Sequence, residues 1–337
     1  MQLMRQGYCT LPICLFLLLL VLFDPVGAQG EARLERVRVV YSAGGSHNSV
    51  WIPYEAGIFR KHGLDVELLF VAGGSTTAQV VQSGQAPIGI FTGSAVVTSG
   101  LAGGDLVAVA GVMNVIPFFV MARPDIRRID DLKGKKIGIT RFGSASDFAL
   151  RYTEEKWPLK RGRDFAVIQN GSMPASMLAL KSGAVEAAMI STEFSVLVRR
   201  EGFREIADVA SMGLNFPTSA LVTSRSFIKR SENTVRKFLR GFVEGIHYAK
   251  THREFSVEVL RKYLKNEDRQ LLNNLYDLYV LRYVPKVPYP VVEPFKTVLA
   301  QIAETDPRAA SAQAEPFIEP RFIQELEKEG FIQRLWQ

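Results

Sequence analysis

The chain has 337 residues, 47% of them hydrophobic and 22% charged, with 41 Lys and Arg against 34 Asp and Glu for a formal charge of +7. This is a globular composition with enough chain for one large or two medium domains, and it excludes disordered, collagen-like and coiled-coil proteins. Basic and acidic residues are interleaved, with no basic run and no aromatic-plus-basic module, so no nucleic-acid partner is expected; the surplus charge reads as a solvated surface or a long-range attraction for anions.

The first segment differs from the rest. Arg5 is the only charged residue before Asp24, residues 13–23 are uninterruptedly apolar, and Val26-Gly27-Ala28 supplies small residues at a cleavage position. Residues 1–28 therefore read as a secretory signal peptide, with an uncleaved anchor as the alternative. The apolar run is well short of the ~20 residues a membrane-spanning helix needs. Both cysteines, Cys9 and Cys14, fall inside this segment and neither follows the apolar run, so a lipoprotein is not expected. The exported chain would carry no disulfide, no Cys-ligated metal and no thiol nucleophile.

Beyond the signal, strand and helix patterns alternate. Residues 37–41 form a β-branched run that breaks at Ser42-Ala43-Gly44-Gly45, and a helical stretch follows over 49–61, with Gly63 placed to end it. A strand is predicted over 65–71, a helix opening at Gly73-Gly74-Ser75 and closing at Ser83-Gly84, and strands over 88–91 and 106–113. The plan then repeats: a polar turn at 130–136, a strand over 137–140, a break at Arg141-Phe142-Gly143-Ser144, and a helix to Trp157. A strand follows over 165–169, then a helix from Gly171-Ser172 to Ser182-Gly183 and a strand over 186–190 ending at Ser191-Thr192. Two similar α/β lobes are the expected outcome. The last third reads as helical and as core: Ser231 is a good N-cap, and Val235, Phe238, Leu239, Phe242 and Ile246 follow the spacing of a buried stripe. Further helices fit 254–264, 267–281, 291–304 and a terminal one from Pro320 to about Gly330.

Ligands of open α/β sheets bind beyond the carboxyl ends of the strands. Those ends are here rich in small and hydroxyl residues: Ser42, Gly44 and Gly45; Gly74, Ser75 and Thr76; Thr92, Gly93 and Ser94; then Gly143, Ser144 and Ser146, and Ser191 and Thr192. Several sit at predicted helix N-termini, whose free N–H groups favour an anion or a polar oxygen. Any single Ser or Thr there can equally be a simple cap, so the expectation rests on their joint placement. Arg141 is suited to pair with a carboxylate or sulfonate, and equally to a salt bridge at the surface or between lobes. Trp51, Tyr54 and Phe142 are candidate apolar walls, and His47 a candidate ligand contact.

Catalytic signatures are missing. His247 and His252 are five apart, outside the zincin spacing, and the sequence has no paired Cys/His cluster, P-loop, GxGxxG or GxSxG. No catalytic residue, metal or cofactor is assigned.

At several segments the chain resembles the nitrate/sulfonate/bicarbonate-type substrate-binding proteins of ABC importers, within the NMT1/THI5-like group. They are Trp51-Ile52-Pro53-Tyr54-Glu55-Ala56-Gly57-Ile58-Phe59, His62-Gly63-Leu64-Asp65-Val66, Ala72-Gly73-Gly74-Ser75-Thr76, Asp131-Leu132-Lys133-Gly134-Lys135-Lys136-Ile137-Gly138 and Arg141-Phe142-Gly143-Ser144, with Glu325-Leu326-Glu327 and Gly330-Phe331-Ile332 near the end. The resemblance implies a periplasmic-binding-protein-like class II fold: two α/β lobes, a hinge and a ligand cleft, with the chain crossing twice. Lobe 1 would hold 34–121 plus 217–337 and lobe 2 would hold 122–216. It also implies a monomeric receptor, periplasmic or secreted, which captures a small polar or anionic molecule for a separate ABC permease and ATPase. The alternatives are a secreted or periplasmic enzyme using the inter-lobe cleft, which would need an acid/base pair or a metal, and a ligand-binding sensor component that presents its ligand to a membrane kinase. The related fungal enzymes that build a thiamine pyrimidine carry a cysteine-rich motif, which this chain lacks after its signal.

Overall fold

The computed structural model describes residues 34–42, 47–213 and 215–337. The signal segment, Gly44 and Gly45 lie outside the described residues. In chain order the strands are β1 (Glu35–Tyr41), β2 (Leu64–Phe70), β3 (Ile88–Phe91), β4 (Leu106–Val115), β5 (Phe118–Ala122), β6 (Lys136–Ile139), β7 (Ala166–Gln169), β8 (Ala187–Ser191), β9 (Arg204–Asp208) and β10 (Asn215–Ser224). The helices are α1 (Asn48–Glu55), α2 (Ile58–Lys61), α3 (Gly74–Gln82), α4 (Gly93–Leu101), α5 (Ala145–Lys156), α6 (Met173–Ser182), α7 (Thr192–Arg200), α8 (Arg225–Thr251), α9 (Arg253–Leu264), α10 (Arg269–Leu275), α11 (Glu293–Ala303), α12 (Pro307–Ala310), α13 (Arg321–Lys328) and α14 (Phe331–Leu335).

The strands form two five-stranded mixed sheets of identical plan, β2-β1-β3-β10-β4 and β7-β6-β8-β5-β9. In the first, β1 runs parallel to β2 and β3, while β10 is antiparallel to β3 and β4. In the second, β6 runs parallel to β7 and β8, and β5 is antiparallel to β8 and β9. The antiparallel member of each sheet is thus the strand that comes directly after a crossing of the chain. The first crossing is Ile116-Pro117, where proline lacks the N–H to continue a ladder; the second lies between β9 and β10. These pairings move the sequence-based boundaries. Residues 118–121, assigned to lobe 1 from sequence, pair with β8 in the second sheet, and residues 215–216, assigned to lobe 2, begin β10 of the first.

The predicted stripe of α8 is core: Val235, Phe238, Leu239, Phe242 and Ile246 are each at most 1% exposed. Ser231 interrupts this helix with non-helical dihedrals and stands at the N-cap position of the segment that carries the stripe. The predicted helix over 49–61 is two, α1 and α2, because Gly57 takes a left-handed turn (φ 69°) between them. Helix α10 passes directly into a π-helix over Tyr276–Tyr283. From it Tyr279, buried, reaches the other lobe and donates to Glu193 Oε2 at 2.7 Å. Helices α4 and α7 and strands β5, β9 and β10 have no counterpart among the elements predicted from sequence.

Candidate ligand-binding cleft

A cavity of about 80 Å³ lies between the two sheets at the carboxyl ends of their parallel strands. The first lobe lines it with Ser42, His47, Gly73, Gly74, Phe91, Thr92 and Thr218, and the second with Phe118, Thr140, Ser144, Ala145, Ser146, Ser172 and Met173. No carboxylate is among these described lining residues.

Five helix N-termini meet at this space. His47 precedes α1, Gly73 precedes α3, Thr92 caps α4, Ser144 precedes α5 and Ser172 caps α6. The N–H groups of each first turn carry partial positive charge, and their convergence favours an anion or an oxygen-rich polar group. Only Thr92 and Ser172 accept from their own helices, at Ser94 N and Ala175 N. Ser144 is instead part of a buried hydroxyl triangle. Thr140 Oγ1 is 2.8 Å from Ser144 Oγ and 2.9 Å from Ser146 Oγ, and the two serine oxygens are 2.9 Å apart. Thr140 N donates to Ser146 Oγ, and Ser144 Oγ donates to the Arg141 carbonyl at 2.7 Å.

The loop between β6 and α5 is braced from beneath. Gly143 N donates to Asp147 Oδ2 at 3.0 Å, and Phe142 N donates to Gln169 Oε1 at 2.8 Å. Asp147 is 1% exposed and is held by Arg161 Nη1 at 2.6 Å and Arg151 Nε at 3.3 Å. Across the cleft, Ser94 Oγ donates to the Gly143 carbonyl at 3.2 Å, so this loop touches the first lobe directly.

Of the residues singled out from sequence, Ser42, His47, Gly74, Thr92, Ser144 and Ser146 line the cavity. Ser75, Phe142 and Gly143 line a neighbouring groove between α3 and α4. Trp51 is no cavity wall: it is 1% exposed and stacks on Tyr263 at 4.7 Å, because α1 is buried on nearly every side. Tyr54 is partly exposed and outside the lining. Gly93 packs under Pro217 and Phe295, Ser94 bonds across the lobes, Thr76 is outside the lining, and Thr192 Oγ1 donates to Pro117 O at the first crossing. Ser191 is buried behind Met173, its N–H directed at the Met173 sulfur. Arg141 lies at the rim, its side chain laid over Gly73.

Sequence reasoning passed over Gly73, Phe91, Phe118, Thr140, Ser172, Met173 and Thr218 as site residues. Thr140 and Ser172 carry the same signal as those it found, a hydroxyl where a strand meets a helix. Phe118 and Thr218 belong to the two crossing strands, which long-range pairing alone brings to the cleft.

A family model described as NMT1/THI5 like matches residues 46–255. The chain belongs to the NMT1/THI5-like family. Among its relatives, the candidate binding protein YtlA of Bacillus subtilis strain 168 is 25% identical over 243 residues, which cover 69% of this chain and 71% of YtlA. The alkanesulfonate-binding protein SsuA from Xanthomonas axonopodis pv. citri, bound to MOPS, superposes with a TM-score of 0.71 at 16% identity, covering 86% of this chain and 99% of SsuA. The periplasmic nitrate-binding protein NrtA from Synechocystis PCC 6803 gives 0.70 at 13% identity, covering 88% and 89%. At such identities these structures establish the fold: this member is a two-lobed periplasmic-binding-protein-like chain. None of its described helices is long and apolar enough to cross a membrane.

Proposed function

We propose that this chain is an extracytoplasmic solute receptor that holds a small anionic or polar molecule between its lobes and delivers it to a separate ABC permease and ATPase. The observation that carries the reading is the meeting of five helix N-termini and a set of neutral hydroxyls at one cavity whose described lining has no carboxylate. Such a cradle binds oxygen-rich groups through donors alone. The sulfonate and nitrate receptors that share the fold support the same class of solute. The site residues are those of the cavity lining, with Arg141 at its rim as the cationic partner. The small cavity favours a compact molecule or a compact head group. Export by the leading segment and closure of the lobes by a hinge at the two crossings complete the reading.

Thermal unfolding of residues 29–337 against nitrate, bicarbonate, sulfonates, carboxylates, aromatic acids and pyrimidines tests it. A ligand at 100 times its dissociation constant adds about 2.7 kcal/mol of stability. A shift confined to one chemical class names the solute class. No shift across the panel, with protein that is folded and stripped of carried-over ligand, removes the receptor reading for those classes.

A further inference from the structure

Arg141 combines a partly closed-off guanidinium with a place beside the cavity. It leaves the end of β6 on the second lobe and crosses to the first, where it lies on the bare backbone of Gly73. A Cβ built at Gly73 would fall 2.6 Å from Arg141 Nε and 2.7 Å from its Cδ. The Nε atom is closed off from solvent and has no hydrogen-bond partner. Among the described residues Arg141 makes no side-chain hydrogen bond and no ion pair, whereas Arg151 and Arg161, on the helix and loop that follow it, each pair with a carboxylate. Its backbone, by contrast, is fixed: the carbonyl accepts from Ser144 Oγ, and two residues on the Gly143 carbonyl accepts from Ser94 Oγ of the other lobe.

The closeness of the lobes creates this situation. Separation of the lobes would withdraw the Gly73 face and let water solvate the guanidinium. With the lobes together, part of a cation is desolvated beside a cavity that supplies it no anion, and an unpaired charge in that position is unfavourable. An anion held in the cradle of helix N-termini, next to Gly73 and Ser144, is the missing partner. A neutral solute of the same shape is not.

We infer that Arg141 makes lobe closure conditional on an anion, so that this receptor selects for charge at the closing step and not only at entry. The inference rests on the anion-receptor reading above and adds a specificity-determining residue to it. Gly73 belongs to the same device, since a side chain there would occupy the place of the arginine stem.

The experiment is small-angle X-ray scattering on ligand-stripped protein in a buffer free of nitrate, sulfonates and carboxylates, for wild type, Arg141→Met and Arg141→Gln. Methionine keeps an apolar stem for the Gly73 slot without charge; glutamine serves if the methionine variant fails to fold, as judged by circular dichroism. Without ligand, the neutral variants are expected to show the smaller radius of gyration that a binding anion produces in wild type. They are also expected to show no further compaction when nitrate or methanesulfonate is added. Equal radii for ligand-free wild type and both neutral variants, whether all extended or all compact, would overturn the inference. Failure of every panel anion to compact or stabilise wild type would instead sink the anion-receptor reading, so the two failures are told apart.

Discussion

Removal of the Asp147 carboxylate by Asp147→Ala is the sharpest test of how the cleft loop is held. Asp147 is 1% exposed and makes three contacts: Arg161 Nη1 at 2.6 Å, Arg151 Nε at 3.3 Å and the Gly143 N–H at 3.0 Å. Taking away one member of a buried pair leaves its partner uncompensated, which costs about 3–5 kcal/mol. At roughly 2.1 cal/mol/K of unfolding entropy per residue, a folded chain of about 300 residues then melts about 5–8 °C lower if it unfolds as one unit, and more if the second lobe melts alone. Asp147→Asn keeps an acceptor for Gly143 and one arginine, so about half that loss is expected. Differential scanning calorimetry on ligand-free protein reads both values. A melting temperature for Asp147→Ala within about 1 °C of wild type would refute the brace, because a solvated aspartate is the residue whose loss is that mild. The anion that stabilises wild type should also bind the variant more weakly, since the Gly143 loop loses its support.

Three further outcomes are expected from other parts of the fold. Tyr279→Phe keeps the ring and removes the hydroxyl that meets Glu193 across the lobes, so urea unfolding should show a loss of about 1–3 kcal/mol; an unchanged midpoint would mean the contact does not persist in solution. Gly245→Ala places a methyl 2.4 Å from Pro53 Cβ where α1 packs on α8, and should cost about 1–3 kcal/mol in the same assay, a neutral result showing that the helices can part freely. Lys250 is half-buried and donates to the Val280 and Leu281 carbonyls of the π-helix; burial, aided by the nearby charge of Lys286, holds its pKa at about 8. Between that value and its ordinary 10.5 the folded protein has released a proton that the unfolded chain keeps, so stability contributed by this group rises with pH. Discounted for its exposure, the rise is about 1 kcal/mol from pH 7.5 to 10 relative to Lys250→Gln, and an equal pH response of the two proteins would contradict it.

Much of the fold was legible because both lobes announce their strands and helix starts locally. The Gly/Ser breaks at Gly73-Gly74, Ser144 and Ser172 do mark helix N-termini, and the α8 stripe is core. Features that depend on pairing at a distance could not be read. Strands β5 and β10 look like ordinary apolar runs, yet each joins the sheet that the chain has just entered, and with them come Phe118 and Thr218 of the cavity wall. Trp51 was not separable from a cavity wall for a related reason. Trp51 sits in a motif beside the cleft, but its burial is decided by Tyr263 of α9, far away in sequence. Local signals also could not tell a cap from a wall: Thr92 caps α4 and lines the cavity, while Ser94, two residues on, is used to reach the opposite lobe.

The placement of the crossings bears on how the protein is made. The second sheet uses only strands β5 to β9, so everything it pairs with has left the ribosome by Asp208. The first sheet lacks its fourth strand until β10 arrives, and without it β4 has no neighbour to join. The inserted lobe can therefore mature while the lobe that began first is still waiting, which reverses the usual order in which the N-terminal domain of a chain folds before the later ones. A chain stalled shortly before β10 would hold a finished lobe 2 beside an open sheet edge, a state exposed to proteases and to mispairing with its neighbours.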